Sequence, residues 1–180
     1  LCMCAMAVPA YAAECGVIEG STPIFEGAAT ADEDITIYND KIAVSFAVGT
    51  NNYWNMTRGS IMDIGIIGAG GNEYGYDMTN DAEFLLDLWT ATGSYNGENL
   101  LTDVDCSYVL SDAKDSVTVT MKTRYWVADA DKNGTTDDKQ FGALQKPLNV
   151  TTTYTLKDGN NYVTMVTTVE NPAGNKVTYE

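Results

Sequence analysis

The chain has 180 residues, of which 44% are hydrophobic, and this is enough for one domain with a buried core. Its formal charge is −15, because 25 acidic residues outnumber 10 basic ones. A charge of this sign repels nucleic-acid phosphates and anionic membranes, so neither is expected as a partner. The chain has no histidine, which removes the commonest general base near neutral pH and the commonest zinc ligand.

Residues 1–13 have the pattern of the end of a secretory signal peptide: a short apolar run, then Pro9, then small residues. Cleavage after Ala12 or Ala13 would leave one β domain over residues 14–180, in a secreted or cell-surface protein with no membrane insertion after signal removal. The chain ends inside a predicted strand, 177–180, so we expect it to be truncated there and to be followed by further domains of the same polypeptide.

Cleavage would also remove Cys2 and Cys4 and leave Cys15 and Cys106 in the mature chain. Two cysteines in an exported protein favour a single disulfide that ties the N-terminal segment to the sheet. The alternative is a pair of unpaired thiols.

The first half of the chain contains three strand patterns. Residues 34–38 and 41–48 alternate apolar and polar side chains on either side of Asn39-Asp40, a two-residue hairpin signal. Residues 60–67 form the third candidate, and the glycine-rich turn 68–75 closes it. The glycine spacing of that turn does not fit a phosphate-binding loop.

Two stretches depart from alternation. Residues 16–34 are rich in Gly, Ala, Thr and acids and show no sustained period, so we expect them to lead into the sheet without chemistry of their own. Residues 80–89 space their apolar side chains for one face of a short helix, and Asn80 or Asp81 can cap its first turn.

The second half of the chain alternates most strictly. A short strand is predicted over 105–110, and in 117–127 and 148–156 the apolar side chains fall on one side of a period-two ribbon while Thr, Lys and Asn fall on the other. Asp158-Gly159 then supplies a tight turn into 162–169. One buried and one solvated face indicates antiparallel pairing. With about eight strand candidates, the sequence predicts an all-β antiparallel sandwich with one short helix.

The loop between the strand patterns 117–127 and 148–156 has the spacing of a calcium loop. Its alternating oxygen-bearing side chains can converge on one ion, and Gly134 permits the sharp turn. The loop resembles EF-hand and dockerin-type loops, but Gln140 stands where those loops have a bidentate acid. We expect a structural Ca²⁺, and the alternative is a solvated acidic turn that needs no metal. The predicted ligands are Asp129, Asp131, Asn133, Thr135 and Asp137.

Aromatic residues in the polar loops form a second candidate site. Tyr53, Trp54 and Tyr76 lie in segments predicted to join strands. Flat aromatic rings pack against the C–H faces of sugars while neighbouring polar groups bind the hydroxyls, so we predict that these three residues bind carbohydrate. Aromatic residues also occupy core positions of a β-sandwich, and Trp89 and Trp126 are expected there.

Glycoside hydrolysis would require two carboxylates at a fixed separation across a cleft. Asp63, Asp77, Asp81, Glu83 and Asp87 are available, but no local feature distinguishes one from another, so we expect them to be solvated surface acids. No catalytic residue is predicted.

Residues 150–172, with a strand, a turn, a strand and the ending Val169-Glu170-Asn171, resemble the galactose-mutarotase-like supersandwich domains. Residues 38–46 are similar to the opening hairpin of those domains. The resemblance implies a supersandwich-like fold and an association with carbohydrate-active proteins. Mutarotase chemistry in that family relies on histidine, which this chain lacks, so the resemblance transfers no catalytic residue.

These observations favour a non-catalytic, calcium-stabilised β-sandwich module of a secreted or cell-surface protein that serves carbohydrate binding or processing. One alternative is part of a polysaccharide-active enzyme, a glycoside hydrolase or lyase, completed by sequence beyond residue 180. Another is a structural surface-layer or adhesin domain without a small ligand.

Overall fold

The computed structural model of the chain describes residues 14–50, 59–79, 100–127 and 148–170. These residues form strands and a single short 3-10 turn, Ala69–Gly71, and contain no α-helix. The all-β prediction is confirmed, while the helix predicted over 80–89 and the signal sequence over 1–13 lie outside the described residues. The strands are β1 (Gly16–Glu19), β2 (Ile35–Tyr38), β3 (Ile42–Ala47), β4 (Ser60–Ile66), β5 (Leu100–Leu110), β6 (Ser116–Val127), β7 (Leu148–Lys157) and β8 (Thr164–Glu170).

The strands form two four-stranded antiparallel sheets in which each strand pairs with its neighbours in sequence. The first sheet has the order β1-β2-β3-β4 and the second the order β5-β6-β7-β8. The predicted hairpin at Asn39-Asp40 joins β2 to β3, and the Asn39 side chain accepts hydrogen bonds from the backbone N–H groups of Lys41 and Ile42 at 2.8 and 3.0 Å. The Asn39 amide also donates to the carbonyls of Lys157 and Asn160, both at 2.7 Å, so this hairpin ties the two sheets together.

The inner faces of the two sheets pack against each other and form one core. Its central contact joins the rings of Phe46 and Tyr154, whose centroids lie 4.8 Å apart. The predicted inward positions of β3, β6 and β7 whose side chains are described are buried, although β3 is buried on both faces. The core residues are Cys15, Ile35, Ile37, Ile42, Val44, Phe46, Ile61, Val117, Val119, Met121, Tyr154 and Leu156.

The outer face of the first sheet is buried as well, under residues 20–34, which we call the strap. Thr36 and Ser45 occupy this outer face, and their hydroxyls bond each other at 2.8 Å. The Thr22 hydroxyl of the strap lies 2.6 Å from that of Ser45. The expectation for residues 16–34 was therefore wrong, since they supply β1 and a cover for polar positions that alternation alone assigns to solvent.

Cys15 and Cys106 are both free thiols in the structure. The Cys15 N–H donates to the Lys114 carbonyl at 2.7 Å, which places Cys15 at the turn between β5 and β6. Cys106 lies opposite Met121, four residues before the last residue of β5. At about 3.3 Å per residue this separates Cys106 from the turn by roughly 13 Å, whereas a disulfide needs Cα atoms within about 7 Å. The strand register therefore argues against the predicted bridge.

Candidate functional site

The structure describes one of the three predicted carbohydrate-binding residues, Tyr76. It follows the glycine-rich turn and is 40% exposed. Tyr53 and Trp54 lie outside the described residues. So do all five predicted calcium ligands, Asp129, Asp131, Asn133, Thr135 and Asp137.

Tyr76 forms an exposed aromatic pair with Phe25 of the strap. The two ring centroids lie 5.2 Å apart and the rings meet edge to face at 89°. Phe25 is 48% exposed, so both rings combine a fixed contact with substantial access to solvent. We call these two residues the aromatic pair. Phe25 was not predicted, because a single aromatic in a stretch without periodicity gives no signal for its surface position.

Backbone hydrogen bonds hold the aromatic pair in place. The Phe25 N–H donates to the Gly75 carbonyl at 3.0 Å, and the Asp77 N–H donates to the Phe25 carbonyl at 2.9 Å. These two bonds form a short parallel bridge between the strap and the segment that carries Tyr76. The relative position of the two rings is thus set by main-chain geometry and not by side-chain packing alone.

Gly70 provides the surface on which the Tyr76 ring lies. A Cβ atom at Gly70 would stand 1.9 Å from the ring, closer than any non-bonded contact allows, and the residue has φ of +64°. Both facts require glycine at this position. The glycine-rich turn therefore supports an aromatic ring, a role unlike the phosphate-binding one that its composition first suggests.

The segment after Tyr76 attaches the aromatic pair to the edge of β4. The Met78 N–H donates to the Ile64 carbonyl at 2.9 Å, and the Asp77 carboxylate accepts from the N–H groups of Ile64 and Thr79 at 3.3 and 3.1 Å. Met78 is itself 60% exposed and adds apolar surface to this segment. The pair thus rests on a strand of the rigid sheet.

A second aromatic contact, between Tyr38 and Tyr74, is more enclosed. The ring centroids lie 5.4 Å apart at 81°, and both residues are partly buried. Burial raises the pKa of the Tyr74 hydroxyl, and the negative charge of Glu73 adds to this effect. We assign this contact to packing, since neither ring is as open as those of the aromatic pair.

Asp63 is fully buried under the strap, so the expectation of a solvated acid was wrong for this residue. Its carboxylate accepts from the N–H groups of Ala28 and Ala29 at 2.6 and 3.2 Å. Desolvation raises the pKa of Asp63, the nearby charge of Asp77 raises it further, and the hydrogen bonds partly oppose the shift. Because both oxygens are engaged by the strap, Asp63 fixes the strap to β4.

No group of three or more metal-ligating side chains converges within the described part of the chain. The same residues contain no helix of sufficient length and apolarity to cross a bilayer. Comparison with known protein families, curated proteins and solved structures gives no match for this chain. The resemblance to supersandwich domains thus stays a prediction, and the aromatic pair is the exposed feature of the described residues that bears on function.

Proposed function

We propose that this chain is a non-catalytic β-sandwich module of a secreted or cell-surface protein and that it binds carbohydrate through the aromatic pair. The observation that carries the proposal is the fixed, exposed position of Phe25 and Tyr76. Pyranose rings present C–H faces that pack against flat aromatic rings, and we take for this contact the order of about 0.5–1.5 kcal/mol that contacts between two aromatic rings contribute.

Preorganisation supports binding at this position. Side chains that are already ordered in the free protein lose little conformational entropy when a ligand arrives. The backbone bridge and Gly70 hold the Tyr76 ring before any ligand is present. Glu26, next to Phe25, is exposed and adopts a left-handed φ of 62°, which is uncommon for a residue other than glycine. Such strain is concentrated at ligand sites, and the carboxylate of Glu26 offers an acceptor for sugar hydroxyls.

The structural Ca²⁺ remains part of the proposal. It is supported by the D-x-D-x-N-G spacing in residues 129–134, which lie between the end of β6 and the start of β7 in the sequence. An ion there would shorten the effective length of a long connection and so stabilise the pairing of these two strands.

The two buried acids of the described residues are not candidates for hydrolysis. Catalysis by a glycoside hydrolase needs two carboxylates that are free to reach the substrate. Asp34 and Asp63, the two buried acids, instead accept hydrogen bonds from backbone N–H groups. A purely structural surface-layer or adhesin domain is the competing explanation, and in that case the aromatic pair would have no small ligand.

Affinity electrophoresis in native gels that contain a soluble polysaccharide distinguishes these functions. The probes are xylan, mixed-linkage β-glucan, galactomannan and pectin, each tested separately. We expect at least one to retard the protein, and we expect Tyr76→Ala and Phe25→Ala each to weaken retardation by about three- to tenfold, the equivalent of one lost stacking contact.

Tyr162→Ala is the matched control, because Tyr162 is also an exposed aromatic residue, at 58%, but lies between β7 and β8. Retardation by none of the four polysaccharides, or equal loss in Tyr162→Ala and Tyr76→Ala, would count against the aromatic pair as a carbohydrate site.

A further inference from the structure

The two segments that build the aromatic pair carry negative charge and no positive charge. The strap and residues 59–79 contain no Lys or Arg. Lys41, whose carbonyl accepts from the Ile67 N–H, is itself paired with Asp40. Among the described residues, these segments therefore attract cations and repel anions. Their acids are Glu26, Asp32, Glu33, Asp34, Asp63, Glu73 and Asp77.

A tight turn places Glu26 beside the ring of Phe25. The Gly27 N–H donates to the Ile24 carbonyl at 3.1 Å, so Phe25 and Glu26 are the two central residues of a four-residue turn. The φ of 62° at Glu26 is the left-handed value that the third position of a type II turn requires. Both side chains are exposed, and their Cα atoms are about 3.8 Å apart. One turn thus presents an aromatic ring and a carboxylate together.

We infer that the aromatic pair and Glu26 bind glycans that carry free amino groups and reject glycans that carry uronic acids. This inference rests on the proposed carbohydrate site and names its ligand class. Phe25 and Tyr76 meet at 89°, so their rings form two walls of a corner. A protonated amine is attracted to the face of an aromatic ring, and a carboxylate beside the ring accepts a charge-assisted hydrogen bond from it. A uronate would meet the same carboxylate as a like charge and would be repelled.

The charge of the whole chain acts in the same direction. A net charge of −15 attracts a cationic ligand over long range and raises its association rate. Because Phe25, Tyr76 and Glu26 are all exposed, salt screens the attraction between this site and an ammonium group. A neutral glycan makes the stacking contact alone, so its affinity should depend little on salt. The salt dependence of binding therefore separates the two ligand classes.

Isothermal titration calorimetry of the full chain with two short probes tests the ligand class. The probes are a glucosamine trisaccharide and its fully N-acetylated counterpart, which share their ring geometry and differ in charge. Both are measured at about pH 6, below the pKa of primary amines, and at roughly 0.05 and 0.5 M NaCl. We expect the free amine to bind about tenfold more tightly in low salt and about threefold or less in high salt.

Glu26→Gln and Asp32→Asn form a matched pair of variants. Both residues are exposed acids of the strap, and each variant changes the net charge by the same amount. We expect Glu26→Gln to weaken binding of the glucosamine probe by about three- to tenfold and to change the N-acetylated probe by less than about twofold. Asp32→Asn should change neither by more than about twofold. Tyr76→Ala should weaken both probes, because each contacts its ring.

The outcomes distinguish this inference from the proposed function. Equal affinity for the two trisaccharides overturns the inference alone, as does failure of the glucosamine probe to bind while a polysaccharide is still retained in gels. Glucosamine binding that Tyr76→Ala leaves unchanged, or that Glu26→Gln and Asp32→Asn weaken equally, would be a general attraction between opposite charges and also overturns it. If neither trisaccharide nor any polysaccharide binds, the inference and the proposed function fail together.

Discussion

Asp34 joins the strap to the end of β3, and its replacement by alanine should be the most destabilising single change among the described polar residues. One carboxylate oxygen accepts from the N–H groups of Val48, Gly49 and Thr50 at 2.8, 2.9 and 3.1 Å. The other accepts from the Ala31 N–H at 2.8 Å and from the Thr50 hydroxyl. Truncation removes all five bonds together.

The magnitude follows from these contacts. A hydrogen bond to a charged group contributes about 1.5–3 kcal/mol, but contributions within one network are not additive, and Val48 to Thr50 are only partly buried, so water replaces some bonds. We therefore expect Asp34→Ala to lower the free energy of unfolding by about 3–5 kcal/mol, a large part of the 5–15 kcal/mol typical of a domain. Asp34→Asn keeps one carbonyl oxygen and should cost about half as much.

Urea unfolding followed by far-UV circular dichroism measures these differences. Asp32→Ala is the matched control, because Asp32 is an exposed acid in the same strap, and its loss should change stability by less than about 0.5 kcal/mol. If Asp34→Ala and Asp32→Ala agree within about 1 kcal/mol, the network around Asp34 does not hold the strap, and the reasoning from its five bonds is refuted.

Three further predictions concern the pKa of a buried acid, the cysteines and the cation. Burial raises the pKa of Asp63 above its ordinary value of 3.8, so its protonation stabilises the folded state, fully below pH 3.8 and no longer above the folded pKa. The free energy of unfolding of the unmodified protein should therefore increase relative to that of Asp63→Asn as the pH falls. A difference in urea melts that does not change with pH would contradict this. Burial, aided by nearby aspartates, raises the pKa of the Cys15 and Cys106 thiols to about 11. Iodoacetamide should therefore label both cysteines only after the protein is unfolded, and no reductant should be needed, as mapped by mass spectrometry. Labelling that requires a reductant would instead demonstrate a bridge. Calorimetric titration with millimolar Ca²⁺ should give heat that Asp129→Ala and Asp131→Ala abolish, and the absence of heat from the unmodified protein would exclude the proposed cation site.

The alternation of apolar and polar residues was sufficient to predict the strands that bury one face and expose the other to solvent. β6 and β7 follow the predicted ranges within a residue or so, because apolar side chains recur at most alternate positions of both strands. The inward positions whose side chains are described are buried, including Thr152, which breaks the apolar pattern. β5 begins five residues earlier than predicted, where the sequence carries no clear alternation. A period of two thus identifies a strand when one face is apolar and the other polar. It does not locate the end of the strand where this contrast is absent.

The strap shows that a local sequence pattern does not predict contacts between separate segments of the chain. Thr36, Ser45 and Asp63 lie at outward positions of their strands, and a period-two pattern assigns such residues to solvent. The structure buries them because the strap supplies a hydroxyl to Ser45 and backbone N–H groups to Asp63, while Ser45 in turn bonds Thr36. A buried carboxylate needs partners of this kind, and nothing in the spacing along one strand reports them. Phe25 was missed for the same reason, since its contact with Tyr76 spans two segments far apart in sequence.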